Sequence, residues 1–154
     1  MFLILLALAI LIPICVSAYF RLTNGKCKSL NRLDGKVVLI TGGSMGIGLE
    51  YIKDISRRGA TIIMACRDVK KAQNAAVEVV KITGNKNIKV QECDLNSIKS
   101  VRKCCSEIRE EYSQIDVFCC FAAATGDSNS SKPTEDGFEV SFQCNYLSHL
   151  IMII

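Results

Sequence analysis

"TGGSMGIG", residues 41–48, stands between the apolar run KVVLI at 36–40 and a helical pattern that opens at Met45. In that helix Leu49, Ile52 and Ile55 recur three apart, and Gly59 ends it. A glycine loop between a strand and a helix aims backbone N–H groups and the positive end of a helix dipole into one turn. That combination suits a pyrophosphate. On this reading Gly42 makes the tight turn, Gly46 lets a phosphate approach the backbone, and Gly48 lets the helix pack close to the sheet. A lone glycine cluster is weak evidence, so the rest of the chain has to agree.

It does. TIIMAC at 61–66 predicts a second strand, and Asp68 is placed to cap the next helix, with Ala72, Ala75, Ala76, Val79 and Val80 on one face. Thr83, Gly84 and Asn85 close that helix. Residues 88–93 predict a third strand. Ser97 is placed to cap a helix with Ile98, Val101, Cys105 and Ile108 inward. Residues 115–122 predict a fourth strand, apolar throughout and therefore expected to be buried. A polar loop then leads to a last helix from about Thr134. Strand and helix alternating in this rhythm predict an α/β fold with a parallel sheet.

The spacing Thr-Gly-x-x-x-Gly-x-Gly resembles that of the short-chain dehydrogenase/reductase family. "RLDGKVVLITG" (32–42), "ACRD" (65–68) and "TEDGFEVSFQCNYLSH" (134–149) resemble its retinol dehydrogenase group. The resemblance covers residues 32–154. It implies an incomplete doubly wound (Rossmann) parallel sheet over 36–154 and an NADP(H) cofactor. It also implies hydride transfer between the nicotinamide and a retinoid or other lipophilic alcohol or carbonyl. By position, Gly42, Ser44, Gly46, Ile47 and Gly48 would line the pyrophosphate, and Asp94 and Leu95 would flank the adenine. Arg67, just past the second strand, would meet the adenosine ribose. A guanidinium there suits a 2′-phosphate, where an acidic residue would suit the free ribose hydroxyl of NAD. Asp94 has a second reading, as a cap of the helix that follows. Asn145 matches the family's asparagine, which holds a water in the proton relay. His149, the one histidine, is read as a helix surface or interface residue.

The chain departs from the family in two places. Where the fourth strand of the family ends in Asn-Asn-Ala-Gly, Cys120, Phe121, Ala122 and Ala123 stand here. Two amides and a glycine are replaced; Ala122 keeps its place by the cofactor, and the methyl of Ala123 is expected to crowd the nicotinamide side. The family's proton transfer uses a tyrosine with a lysine four residues on. Here Tyr19, Tyr51, Tyr112 and Tyr146 are followed at that distance by Thr23, Ile55, Asp116 and Leu150. The chain therefore reads as the N-terminal part of such an enzyme, without the acid–base pair and inactive alone. The alternative reading is a catalytically inactive, membrane-attached cofactor-binding or interaction module.

Composition adds a location. Apolar residues make up 49% of 154, and mean hydropathy is +0.26. Much of the excess lies in residues 2–20, which carry no charge. As a helix they would span roughly 28 Å, close to the hydrocarbon thickness of a bilayer. Pro13 is tolerated in a membrane helix. Residues 1–20 are thus read as an anchor and 21–35 as a basic linker, with Arg21, Lys26, Lys28, Arg32 and Lys36 against Asp34. That bias favours a cytosolic, endoplasmic-reticulum-bound domain. A cleaved signal ending at Val16-Ser17-Ala18, with secretion, is the alternative. Asn129-Ser130-Ser131 fits the N-glycosylation pattern and would report which holds. The net charge of +4 comes from the cluster beside the apolar segment, which points to a membrane surface rather than nucleic acid. Nine cysteines without zinc-ligand spacing suggest reduced, buried thiols and no metal.

Overall fold

The computed structural model describes residues 2–25, 29, 31–124 and 132–154. The proposed glycosylation tripeptide at Asn129, and Lys26 and Lys28 of the basic cluster, lie outside the described residues. The chain divides into two units, Met1–Leu30 and Asn31–Ile154.

The first unit is a helix, α1 (Phe2–Thr23), with Pro13 inside it. Its stretch Leu5–Thr23 has a mean hydropathy of 2.2 and is long and apolar enough to cross a membrane. Leu5, Ile10, Leu11 and Ile12 are all more than half exposed, unlike the core helix of a soluble domain, which buries such side chains.

The second unit is a parallel sheet with helices on both faces. Its strands are β1 (Val37–Thr41), β2 (Thr61–Cys66), β3 (Ile88–Glu92) and β4 (Val117–Cys120). Their order is β3-β2-β1-β4. Val38 faces Ile62 on one side of β1 and Val117 on the other. The apolar runs of β1 and β2 follow from this layering, because period-2 alternation sends successive residues to opposite faces and both faces are covered. Val38, Ile40, Ile62, Met64 and Cys66 pack on one side with Ile52 and Ile55 of α2 (Gly46–Arg57) and Ala72, Ala75 and Val79 of α3 (Val69–Thr83). Leu39, Ile63 and Ala65 pack on the other with Val101, Cys104 and Ile108 of α4 (Ile98–Glu111).

Most caps stand where the sequence predicts them. Asp68 accepts the Lys71 N–H at 2.9 Å, Ser97 accepts the Ser100 N–H at 3.3 Å, and Gly84 ends α3 at φ +76°. Three expectations are corrected and a fourth is extended. The fourth strand is shorter than residues 115–122 and is not buried: Val117 and Cys120 are exposed, because β4 is the terminal strand of the sheet among the described residues. In α4 Cys104, which the sequence did not place inward, is fully buried, and Cys105 packs partly buried against the same core. The last helix does not begin near Thr134. Gly137 turns the chain at φ +85°, and the helix starts as α5 (Val140–Phe142), capped by Glu139, whose carboxylate accepts the Ser141 and Phe142 N–H groups at 2.8 and 2.6 Å. It continues through a π-helical turn, Gln143–Leu147, into α6 (Ser148–Ile153). Finally, His149 is 5% exposed and interior rather than a surface residue.

Asp136 of the turn explains the late start. Its carboxylate accepts the Ile98 N–H at the head of α4 and the Gln143 amide, at 2.8 and 2.6 Å. Those bonds hold residues 134–139 as a loop that joins α4 to the last helix.

Candidate functional site

A groove of about 540 Å³ opens at the C-terminal ends of the strands, within the range of small-molecule clefts of about 300–1,000 Å³. It lies where the strand order reverses between β1 and β4, the place an open α/β sheet offers a ligand. Gly42, Ser44, Ile47, Gly48, Arg67, Asp94, Leu95 and Ala122 all line it. Of the residues predicted from sequence, Gly46 and Asn145 do not.

The glycine loop is built by close approach. Gly42 has φ +71°, and a Cβ there would lie 2.5 Å from the Ala122 nitrogen, so the loop and the end of β4 touch backbone to backbone. A Cβ on Gly48 would strike the Gly42 carbonyl oxygen. The role of Gly48 is therefore to let α2 start against its own loop, not against the sheet as expected. Gly46, the first residue of α2, has open space around it. No side chain caps α2 at Met45 and no acidic residue occupies its first turn. Its positive end is left for an anion.

Two cations line the groove as well. Arg67 is exposed just past β2. Lys71, which the sequence reading missed, lines the same groove with its ammonium 3.1 Å from the Met45 sulfur, a weak acceptor. Its spacing four residues after Arg67 was the available signal, because a helix opening at Val69 turns residue 71 back toward the strand end. Asp94 accepts the Asn96 N–H at 3.0 Å through its carboxylate, while Ser97 does the capping of α4. Asn96, also missed, lines the groove, and its Oδ1 is buried with no hydrogen-bond partner.

Cys66, Cys93 and Cys144 line the groove as well. Contact with Cys104 and burial push the Cys93 thiol far above the ordinary range, and burial raises Cys66 and Cys144. They stay protonated and act as small apolar surface.

The β4 side has its own supports. The Phe121 ring packs on Tyr51, centroids 5.3 Å apart, and burial together with the Cys119 thiol pushes the Tyr51 hydroxyl up to about 12. Asn145 reaches the groove only through Ala124. Its amide accepts the Ala124 N–H at 2.7 Å and donates to the Ala124 carbonyl at 2.9 Å.

The short chain dehydrogenase family model matches residues 36–153. Retinol dehydrogenase 13 of Homo sapiens is 36% identical over 130 residues, covering 84% of this chain and 39% of that protein. An uncharacterised protein of Mycobacterium paratuberculosis is similar in structure, with a TM-score of 0.68 and 30% identity over 84% of this chain and 44% of that one. The RhlG/NADP complex of Pseudomonas aeruginosa shares the fold, with a TM-score of 0.64 and 23% identity over 79% of this chain and 45% of its own. The chain spans about two fifths of the length of the curated relatives it matches. Family match, strand order and glycine loop agree: the chain belongs to the short-chain dehydrogenase family and is retinol dehydrogenase-like.

Proposed function

We propose that this chain is the NADP(H)-binding part of a membrane-anchored oxidoreductase acting on a retinoid or another lipophilic alcohol or carbonyl. The observation that carries the reading is the groove itself. It joins an uncapped helix N-terminus behind a glycine loop with a pair of cations, Arg67 just past the second strand and Lys71 on the helix that follows.

The residues fit the cofactor on two further counts. The contact of Gly42 with Ala122 leaves no room for a side chain where the loop must stay thin. The orphan Asn96 Oδ1 awaits an N–H donor of the kind an adenine amino group provides. Gly42, Ser44, Ile47 and Gly48 would hold the pyrophosphate, Asp94, Leu95 and Asn96 the adenine, and Arg67 the 2′-phosphate. Gly46 serves by its backbone at the helix start. Ala122 and Ala124 would wall the nicotinamide side, and Asn145 fixes that wall. When bound, the nicotinamide supplies or takes up a hydride. The 154 residues contribute binding and orientation, and the proton-transferring tyrosine and lysine are not among them.

Calorimetry with NADPH and NADH tests the cofactor. NADPH is expected to bind more tightly, by at least about tenfold given the strength of charge-assisted hydrogen bonds to a phosphate. Arg67→Asp is expected to reverse or erase the preference. Tighter binding of NADH to the unaltered chain would overturn the reading.

For location, α1 would anchor the chain in the endoplasmic reticulum membrane with the second unit in the cytosol. Its exposed apolar side chains and the basic residues after it support that reading.

A further inference from the structure

We infer that His149 is a positioning residue for the nicotinamide half of the groove, a role that rests on the cofactor reading above. Its imidazole bridges three pieces of the site. Nε2 lies 2.8 Å from the Thr41 hydroxyl at the end of β1. Nδ1 lies 3.2 Å from the Asn145 carbonyl oxygen on the π-helical turn. Thr41 in turn accepts the Ala122 N–H at 3.4 Å, at the groove wall just past β4.

The partners dictate where the hydrogens sit. A carbonyl oxygen only accepts, so Nδ1 carries a proton and donates to Asn145. Nε2 then accepts from the Thr41 hydroxyl, whose oxygen accepts from Ala122. The result is a one-directional chain from Ala122 N–H through Thr41 O–H to the ring, and from the ring to Asn145. Its centre is enclosed: Thr41 is 0% and His149 5% exposed, and the Phe118 ring lies 6.2 Å from the imidazole.

This chain of bonds answers the loss of polar side chains on β4. Cys120 and Phe121 stand where side-chain amides would tie the strand end to its neighbours. Here the end of β4 is tied instead from the last helix, by His149 through Thr41 and by the Asn145 amide on Ala124. His149 touches no groove surface itself. It acts through Ala122 and through the turn that carries Asn145.

The position predicts a split effect. His149→Ala should loosen the wall past β4 and leave Arg67, Lys71 and Asp94 unaffected. In the 154-residue chain in detergent micelles, affinity for NADPH is expected to fall about tenfold while affinity for 2′,5′-ADP, which lacks the nicotinamide, stays within about twofold. His149→Gln, which restores an acceptor for Thr41, is expected to recover most of the loss. Equal weakening of both ligands, or of neither, would overturn the inference and spare the cofactor reading. Failure of the unaltered chain to bind either ligand would sink both. A second measurement needs no ligand. With one histidine in the sequence, the ¹⁵N spectrum of the labelled ring reports one residue, and a proton on Nδ1 with a bare Nε2 is expected. A bare Nδ1, or both nitrogens protonated at neutral pH, would overturn the role.

Discussion

At the scale of single residues, close contacts at the groove decide what can be changed. Gly42 combines a left-handed backbone with a neighbour where its Cβ would be. Gly42→Ala is expected to cost more than about 2 kcal/mol from strain and overpacking together, read as a fall in melting temperature with loss of nucleotide binding. Lys71 also lines the groove, its ammonium against the Met45 thioether. Lys71→Met is expected to weaken NADPH about fivefold and leave NADH unchanged, as for a second phosphate contact, and calorimetry on both ligands checks it. An equal loss with both ligands would place Lys71 away from the phosphate. Of the residues at this scale, the sequence made the place of Gly42, Gly48, Arg67, Asp94 and Leu95 at the groove legible because each sits at a fixed offset from a strand end, whereas Gly46 does not line it. Lys71 carried a signal in its spacing from Arg67, whereas Asn96 was illegible because nothing in an asparagine near a helix start announces an orphaned polar atom. His149 was misread for a related reason: a polar residue on a helix is usually outward, and only the fold brings Thr41, 108 positions away, to its ring.

Among the elements, caps were read correctly because their chemistry is local. Asp68, Ser97 and Gly84 need only their own neighbours. The late start of the last helix depends on Asp136 bonding to α4, a contact between residues 38 apart, which a window along the chain does not contain. The joint between β1 and β4 gives a pH prediction. The Asp116 carboxylate meets the Lys36 ammonium at 2.8 Å and the Val37 N–H at 2.8 Å, and both hold its pKa below the usual carboxylate value. A lowered folded-state pKa means the contribution is full above the unfolded value, about 3.9, and is lost as pH falls through the folded one. Asp116→Asn should therefore lower the melting temperature at pH 7, and the gap from the unaltered chain should narrow as pH falls below about 3.9 and close below the folded-state pKa. A gap that stays constant down to the acid limit of folding would show that the carboxylate's charge is not the cause. For α1, alkaline extraction of membranes from expressing cells is expected to leave the chain in the pellet at full length. Glycosidase treatment is expected to leave its mass unchanged, because Asn129 would face the cytosol. A mass shift abolished by Asn129→Gln would place the domain in the lumen.

For the whole molecule, the parallel sheet was legible in the sequence, since four apolar runs separated by amphipathic helices admit few other arrangements. The exposure of β4 was not, because an apolar run reads the same at the margin of a sheet as at its centre. Chemistry at this scale also has a plain expectation. With no tyrosine followed four residues later by lysine, purified residues 1–154 should not reduce retinal or oxidise retinol above background in a coupled absorbance assay. Turnover that co-purifies with the chain through successive columns would refute this.

A terminal strand offers its outer peptide groups to any extended segment that comes within reach. Val117, Phe121 and the neighbouring aliphatic surface supply no charge to repel one. At high concentration two copies should therefore zip together along this rail and precipitate. A lysine at position 117, an exposed site at the start of β4, should keep the solution clear without disturbing the nucleotide groove at the strand's other end.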